Sequence, residues 1–200
     1  MANREFAPRL WAALLTVAVL AVAVTAGGWQ VGRAREKQAM IDSFKRGTQS
    51  SVELEGDVTV DELPRYQQVR ASGQYEPERQ ILLDNMPSQV GRPGFRVLTP
   101  FRREGSKRLL LVDRGWVPLG ASRQDLPPVF VSPEFRAVSG RLDTLPAPGV
   151  RVGDAGVAGD TSWPRVLNFP QPQDIEKVLG AEVEARIVLL DPAAADGYER

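Results

Sequence analysis

The sequence predicts a mainly β protein: a small antiparallel β-barrel or sandwich with one or two short helices, preceded by an N-terminal transmembrane helix. Three observations predict it. Residues 10–28 carry no charge and are almost wholly apolar. Beyond Gly47, Pro and Gly recur every few residues between short stretches that alternate apolar with polar side chains, as in sheets that hide their edges by closure or stacking. Past that point, one segment alone has good helical punctuation.

The totals narrow the function classes. Two hundred residues suit one modest domain with an appendage, and 25 basic residues balance 25 acidic ones. A nucleic-acid partner is argued against, because phosphate binding needs a surplus of Lys and Arg on one surface. Cysteine is absent, which excludes disulfides, thiol catalysis and Cys-ligated metals. Histidine is absent too. No Ser-His-Asp triad, imidazole-ligated metal or His-ligated haem can be built from this chain alone.

The first element is the apolar run. At about 1.5 Å per residue, roughly twenty residues cross a bilayer core of about 30 Å, and residues 10–29 are assigned to such a span. Trp11 and Trp29 mark its two ends, where indoles favour the interface. A cleaved signal peptide competes with the anchor: Arg4 and Arg9 precede the run, and Val24-Thr25-Ala26 makes a passable cleavage site. Residues 30–47 read as a helical extension. Ala34, Met40, Ile41 and Phe44 form a ragged apolar stripe among Arg33, Arg35, Glu36, Lys37, Lys45 and Arg46, and Gly47 ends it. Lys and Arg are slightly more frequent after the span than before it, a bias that would hold the following domain in the cytoplasm.

The domain over residues 48–200 is predicted to hold about six strands. Tyr66 to Tyr75 alternates as a strand, with Gly73 marking a bulge or a close backbone approach. Arg79 to Asp84 is the next. Phe95 to Phe101, the turn Glu104-Gly105-Ser106 and the run from Leu109 read as a hairpin. Phe135 to Leu142 and Ala185 to Leu190 complete the set. Thr59-Val60-Asp61-Glu62 has capping-box spacing, but Pro64 stops it within a turn. Pro172 to Gly180 is the good helix, with Pro first, Asp174 in the first turn, an Ile175/Val178/Leu179 face and Gly last. Leu145 to Trp163, rich in Gly, Ala and Pro, is a long loop.

One stretch stands apart. Leu109-Leu110-Leu111-Val112 is a strand buried on both faces, and it runs straight into Asp113-Arg114-Gly115-Trp116-Val117-Pro118. The polar set at that strand end is open to three readings: a catalytic pair, a partner contact, or structural bridges to separate neighbours. Adjacent strand residues face opposite ways, which disfavours joint work at one site. Gly115 permits a turn or bulge, and Trp116 caps the core while its indole N–H finds an acceptor. The loop from Asn85 to Phe95 lacks phosphate-loop order and reads as a plain surface connection, with placement of Arg92 and Phe95 near the strand-end cluster as the alternative. Trp163-Pro164 and Asn168-Phe169-Pro170 serve either core packing or docking. No carboxylate pair has spacing that fixes an acid–base couple.

Several blocks in order resemble a known family: Gly28-Trp29-Gln30 followed by Arg33 and Lys37, Gly73-Gln74-Tyr75, Gly91-Arg92-Pro93-Gly94-Phe95 through Thr99-Pro100, and Val112 to Pro118. The chain is similar to the SURF1 (Shy1) family of cytochrome c oxidase assembly factors over nearly its whole length. The resemblance implies an inner-membrane protein with a cytoplasmic N-terminus (residues 1–9) and a periplasmic domain held between two spans. It implies a non-enzymatic, chaperone-like role in the biogenesis of haem-copper oxidases, at haem a insertion into subunit I. The implied partners are subunit I, the haem a delivery machinery and the membrane.

A second span is expected after Arg200, preceded by a Gly-Tyr-x-Arg stretch matching Gly197-Tyr198-Glu199-Arg200. Its histidine is the implied contact to haem a, so no cofactor or metal is expected on the residues given. The candidate structural or docking positions are Trp29, Gln30, Arg33, Gly73, Gly91, Pro93, Gly94, Pro100, Asp113, Arg114, Gly115 and Trp116. A periplasmic binding module and a carboxylate-based hydrolase are the alternatives.

Overall fold

In a bilayer core a lone apolar run can satisfy its backbone only as a helix, and in the computed structural model Leu10–Gly47 is one continuous helix, α1. The structure describes residues 9–47, 50–56, 58–123, 125–147 and 162–199. Within α1 the hydroxyls of Thr16 and Thr25 donate to the carbonyls of Ala12 and Ala21 one turn back, so the run exposes no unpaired hydroxyl proton. By length and composition the helix is able to cross a membrane. The chain divides into two compact units, Met1–Asp42 and Ser43–Arg200.

Among the described residues the second unit has eight strands: β1 (Ser51–Glu53), β2 (Gln68–Tyr75), β3 (Ile81–Leu83), β4 (Gly94–Arg103), β5 (Leu109–Pro118), β6 (Arg136–Thr144), β7 (Arg165–Leu167) and β8 (Val183–Leu190). Their order is β1-β2-β6-β8-β5-β4-β3-β7, and an added pairing of β2 with β4 closes β2, β6, β8, β5 and β4 into a five-stranded barrel. The mainly β, barrel-type prediction holds. Two strands beyond the expected set are the three-residue β1 and β7 at the sheet margins, too short for alternation to register in sequence. The sheet is also mixed: β5 pairs with β8, β1 with β2 and β3 with β7 in parallel.

Closure falls on Gly73. It pairs with Arg103 of β4 on one side and Arg136 of β6 on the other. A Cβ there would lie 2.9 Å from the Arg102 carbonyl carbon. The close approach expected of this glycine is thus the seam of the barrel.

β5 is aliphatic on both faces because both are covered. Leu110 and Val112 join Val69, Phe101, Val138 and Val188 in one core cluster. Leu109 and Leu111 join Ile81, Leu98 and Ile187 in another, under Ile175 and Leu179 of the helix α2 (Pro172–Leu179). That helix starts at Pro172, is closed by a Gln171–Asp174 capping box and ends at Gly180 with φ 64°. The predicted hairpin is β4–β5, with Gly105 in its turn at φ 75°. The capping-box candidate at Thr59 forms only a 3-10 turn over Val60–Glu62. Most of the predicted loop from Leu145 to Trp163 lies outside the described residues.

The last turn of α1, from Ser43, belongs to this second unit. Phe44 meets the Tyr66 ring edge-on at 5.8 Å, and the Arg141 guanidinium lies 4.1 Å from the Phe44 ring centre. Gly47 is buried against the Tyr66 carbonyl, where a side chain would clash with backbone.

Candidate functional site

The polar set that the sequence places at a strand end lies inside β5, which continues through Asp113, Arg114, Gly115 and Trp116 to Pro118, all but the last buried. A β-bulge makes this possible. Arg96 pairs with Trp116 and Leu98 with Asp113, so β5 spends one residue more than β4 across the interval. Gly115 absorbs the distortion at φ 115°, and a Cβ there would sit 2.8 Å from the carbonyl oxygens of Tyr198 and Glu199.

Asp113 and Arg114 bond in separate directions, as adjacent strand residues must. The Asp113 carboxylate, 1% exposed, takes Arg96 Nε at 2.8 Å and Nη2 at 2.6 Å on Oδ2, while Oδ1 accepts the Gly115 N–H at 2.9 Å. It therefore ties β4 to β5 and braces the bulge.

Arg114, 2% exposed, spends all five of its N–H donors on neutral acceptors. Nε donates to the Asp196 carbonyl (2.9 Å), Nη1 to Gln80 Oε1 (3.0 Å) and the Val129 carbonyl (3.1 Å), and Nη2 to the Phe130 carbonyl (2.9 Å) and the Tyr198 hydroxyl (3.4 Å). The Tyr198 ring also lies 4.8 Å from the guanidinium carbon. Gln80 extends the network: its Oε1 accepts from the Thr99 hydroxyl at 2.8 Å, and its Nε2 donates to the carbonyls of Val129 (2.6 Å) and Pro77 (3.1 Å). A buried cation with every donor answered fixes three distant stretches to β5: Gln80, the 129–130 loop and the segment 191–199.

That last segment acts as a strap. β8 leaves β5 after the Asp113–Leu189 pair, and the returning chain takes its place, with Tyr198 N–H donating to the Arg114 carbonyl and Trp116 N–H to the Glu199 carbonyl, each at 2.6 Å. Gln68 Nε2 reaches both Asp191 oxygens, at 3.1 and 3.2 Å, and Arg136 Nη1 meets the Asp196 carboxylate at 2.5 Å. Tyr75 lies beside this ion pair. Among the described residues its buried hydroxyl has no hydrogen-bond partner, and burial, helped by the Asp196 charge, pushes its pKa far above the ordinary phenol value.

Trp116 lies flat under the loop of residues 85–94. Its indole N–H donates to the Met86 carbonyl at 2.9 Å, and Arg92 stacks over the ring at 5.0 Å while pairing with Glu199 at 2.8 Å. Gly94 is required here because a Cβ would press on the indole at 2.5 Å. Gly91 turns the loop at φ 78°, and the Pro93 carbonyl accepts the Leu119 N–H at 3.2 Å. Pro100, buried in β4 opposite Leu111, offers its carbonyl to the Glu76 N–H at 2.9 Å.

Nine of the twelve candidate positions thus sit in the barrel unit, and six of them (Gly91, Gly94, Asp113, Arg114, Gly115, Trp116) form or frame one cluster. Trp29, Gln30 and Arg33 lie in the helical unit, all exposed. Sequence reasoning missed Gln80, Thr99, Arg96, Asp196 and Tyr198. Arg96, Thr99 and Tyr198 lie in the blocks that carry the family resemblance, and Gln80 is an amide directly before the apolar Ile81-Leu82-Leu83.

It also missed a second buried cation, Arg103, whose Nη2 meets Glu184 Oε1 at 2.6 Å. Burial pushes the Glu184 carboxyl up, against the opposing pull of Arg103.

Chemically, the Arg114 cluster holds the fold. Its donors are spent on acceptors of the chain itself. A surface recess of about 420 Å³ beside β1 is lined by Glu53, Glu55 and Glu104 with Ser72. Those carboxylates are exposed, which denies them the desolvated setting that tunes a carboxyl for acid–base work. A larger apolar share lines a recess of about 370 Å³ between Leu145, Phe169, Pro170 and Ala185.

A small closed barrel strapped by its own C-terminal segment, on a chain whose apolar helix suggests a membrane anchor, defines the class. The SURF1 family model matches residues 17–199, and the chain belongs to that family. It is 30% identical to a SURF1-like protein of Rickettsia felis over 104 residues, covering 52% of this chain and 45% of that one. It is 25% identical to a SURF1-like protein of Caenorhabditis elegans over 158 residues, covering 68% of this chain and 46% of the relative. The chain thus spans under half the length of these curated relatives.

Proposed function

We propose that this chain is a membrane-tethered, non-catalytic assembly factor for haem-copper (cytochrome c) oxidase, its barrel facing the periplasm and acting at haem a insertion into subunit I. The family match over residues 17–199 carries the reading. Two features support it. The apolar helix supplies a tether, and the buried Asp113 and Arg114 are spent on holding the fold, which favours a docking scaffold over an active site.

Haem a enters this reading as cargo. The residues given do not fit it as a resident group: the chain has no His or Cys, and the Trp116 indole and Arg114 guanidinium are committed to carbonyls. The test is complementation. Cells lacking the protein should assemble an oxidase deficient in haem a by difference spectroscopy, and the wild-type gene should restore it. A normal oxidase haem spectrum in the deletion strain, with no second copy of the gene, would refute the proposal.

A further inference from the structure

Trp29, Gln30 and Arg33 stand outside the barrel cluster, and their surroundings point to a ligand of their own. We infer that the turns of α1 just beyond the apolar run bind the phosphate of an anionic phospholipid headgroup through Gln30, Arg33 and Lys37. These three follow one another at spacings of three and four, which places them on one helix face. With Ala34, Glu36 and Met40 they line a recess of about 450 Å³.

Arg33, Arg35 and Lys37 are exposed, and among the described residues they make no salt bridge, with Glu36 or with any other carboxylate. Arg65, Arg79, Arg96, Arg102 and Arg103 of the barrel unit, by contrast, each meet a carboxylate. Arg33 and Lys37, four residues apart, repel each other on the helix surface, an arrangement that a bridging anion relieves.

Depth agrees with charge. Counting from Gly28, the end of the uncharged stretch, Arg33 is five residues on, about 7–8 Å at helical rise. That is about the thickness of one headgroup layer, the margin between a core of about 30 Å and a bilayer of about 40–45 Å. Gln30 lies shallower, and the Lys37 stem reaches back from one turn farther out. Trp29, 63% exposed, marks the boundary as an interfacial indole does. Glu36 opposes the anion, yet three cations and one acid over residues 33–37 still leave a net +2.

This inference rests on α1 being a membrane helix and is independent of the oxidase reading. The test is native mass spectrometry of the full chain in detergent, titrated with phosphatidylglycerol or phosphatidylcholine. Wild type should retain phosphatidylglycerol preferentially, and Arg33→Gln and Lys37→Gln should each lower that retention about five-fold. Glu36→Gln should raise it, and inorganic phosphate should not displace the lipid. Equal retention of both lipids, unchanged retention in the Arg33→Gln/Lys37→Gln variant, or displacement by free phosphate would overturn the inference. So would an acidic protein partner captured through these residues without any lipid preference. Partition of the chain into phosphatidylcholine vesicles separates the two premises. A chain that stays in the aqueous phase defeats anchor and site together, whereas one that partitions without selectivity defeats the site alone.

Discussion

Two buried arginines of the same barrel differ in one respect: Arg103 has a carboxylate among its partners and Arg114 has none. Arg114 is surrounded by neutral oxygens, one for each of its five donors. Arg103 is answered by a carboxylate, but among the described residues its own Nε and Glu184 Oε2 have no partner. A network of neutral acceptors distributes one charge over several chain segments and leaves nothing buried unpaired. Arg103 too reaches neutral acceptors, the carbonyls of Leu54, Gly56 and Val58 and the Ser106 hydroxyl, but its ion pair adds a dependence on a proton that the Arg114 network lacks.

The largest expected effect is at Arg114. Arg114→Met removes five donors and strands buried carbonyls, and should cost about 3–5 kcal/mol in urea unfolding of the detergent-solubilised chain. Arg114→Lys should recover only part, since an ammonium has three donors and no fork. If Arg114→Met unfolds at the wild-type midpoint, the network is not what holds the three segments.

Next comes Gly115→Ala, which demands φ 115° of a residue with a Cβ that would meet two carbonyls at 2.8 Å. A loss of about 2–3 kcal/mol is expected, with faster hydrogen exchange at the Trp116 and Tyr198 amides before any change in β2 or β6.

Glu184 sharpens the contrast through pH. Its pKa is raised on folding by burial, so the folded state holds the proton to higher pH than the unfolded chain. Its contribution is therefore complete below the ordinary carboxylate range and is lost as pH rises through the folded value. The stability difference between wild type and Glu184→Gln should fall across that window. A difference that grows with pH would mean that attraction to Arg103 outweighs desolvation. Arg114→Met should keep the wild-type pH slope across that window.

The smallest effect belongs to Arg92→Gln. Its bridge to Glu199 is half exposed, so about 0.5 kcal/mol or less is expected, with a slight red shift of tryptophan emission as the Trp116 ring loses its cover.

How much of this was written locally explains what could be read in advance. The β4–β5 hairpin, α2 and the double burial of β5 depend on neighbours in sequence, and alternation, turn residues and caps announced them. The demand that Trp116 find an acceptor and that Asp113 and Arg114 part company follows from side-chain chemistry and strand period alone. The run of β5 on through Gly115 and Trp116 to Pro118 was not legible, because the bulge that permits it is set by Arg96 and Leu98 on another strand. Nor were Gln80 and Tyr198, which lie 34 and 84 residues from Arg114. No local pattern records a contact of that range.

The strap has a consequence for biosynthesis. Residues 196–199 supply two of the five acceptors of Arg114 and the backbone neighbours of Arg114 and Trp116, and they are made some 80 residues after β5. While the ribosome is still delivering them, α1 is already complete, but the β5 edge has open amides and its buried arginine is short of partners. The barrel therefore locks late and from its far end, so the nascent domain passes through an interval in which a tethered, unsealed sheet must be kept from pairing with its neighbours.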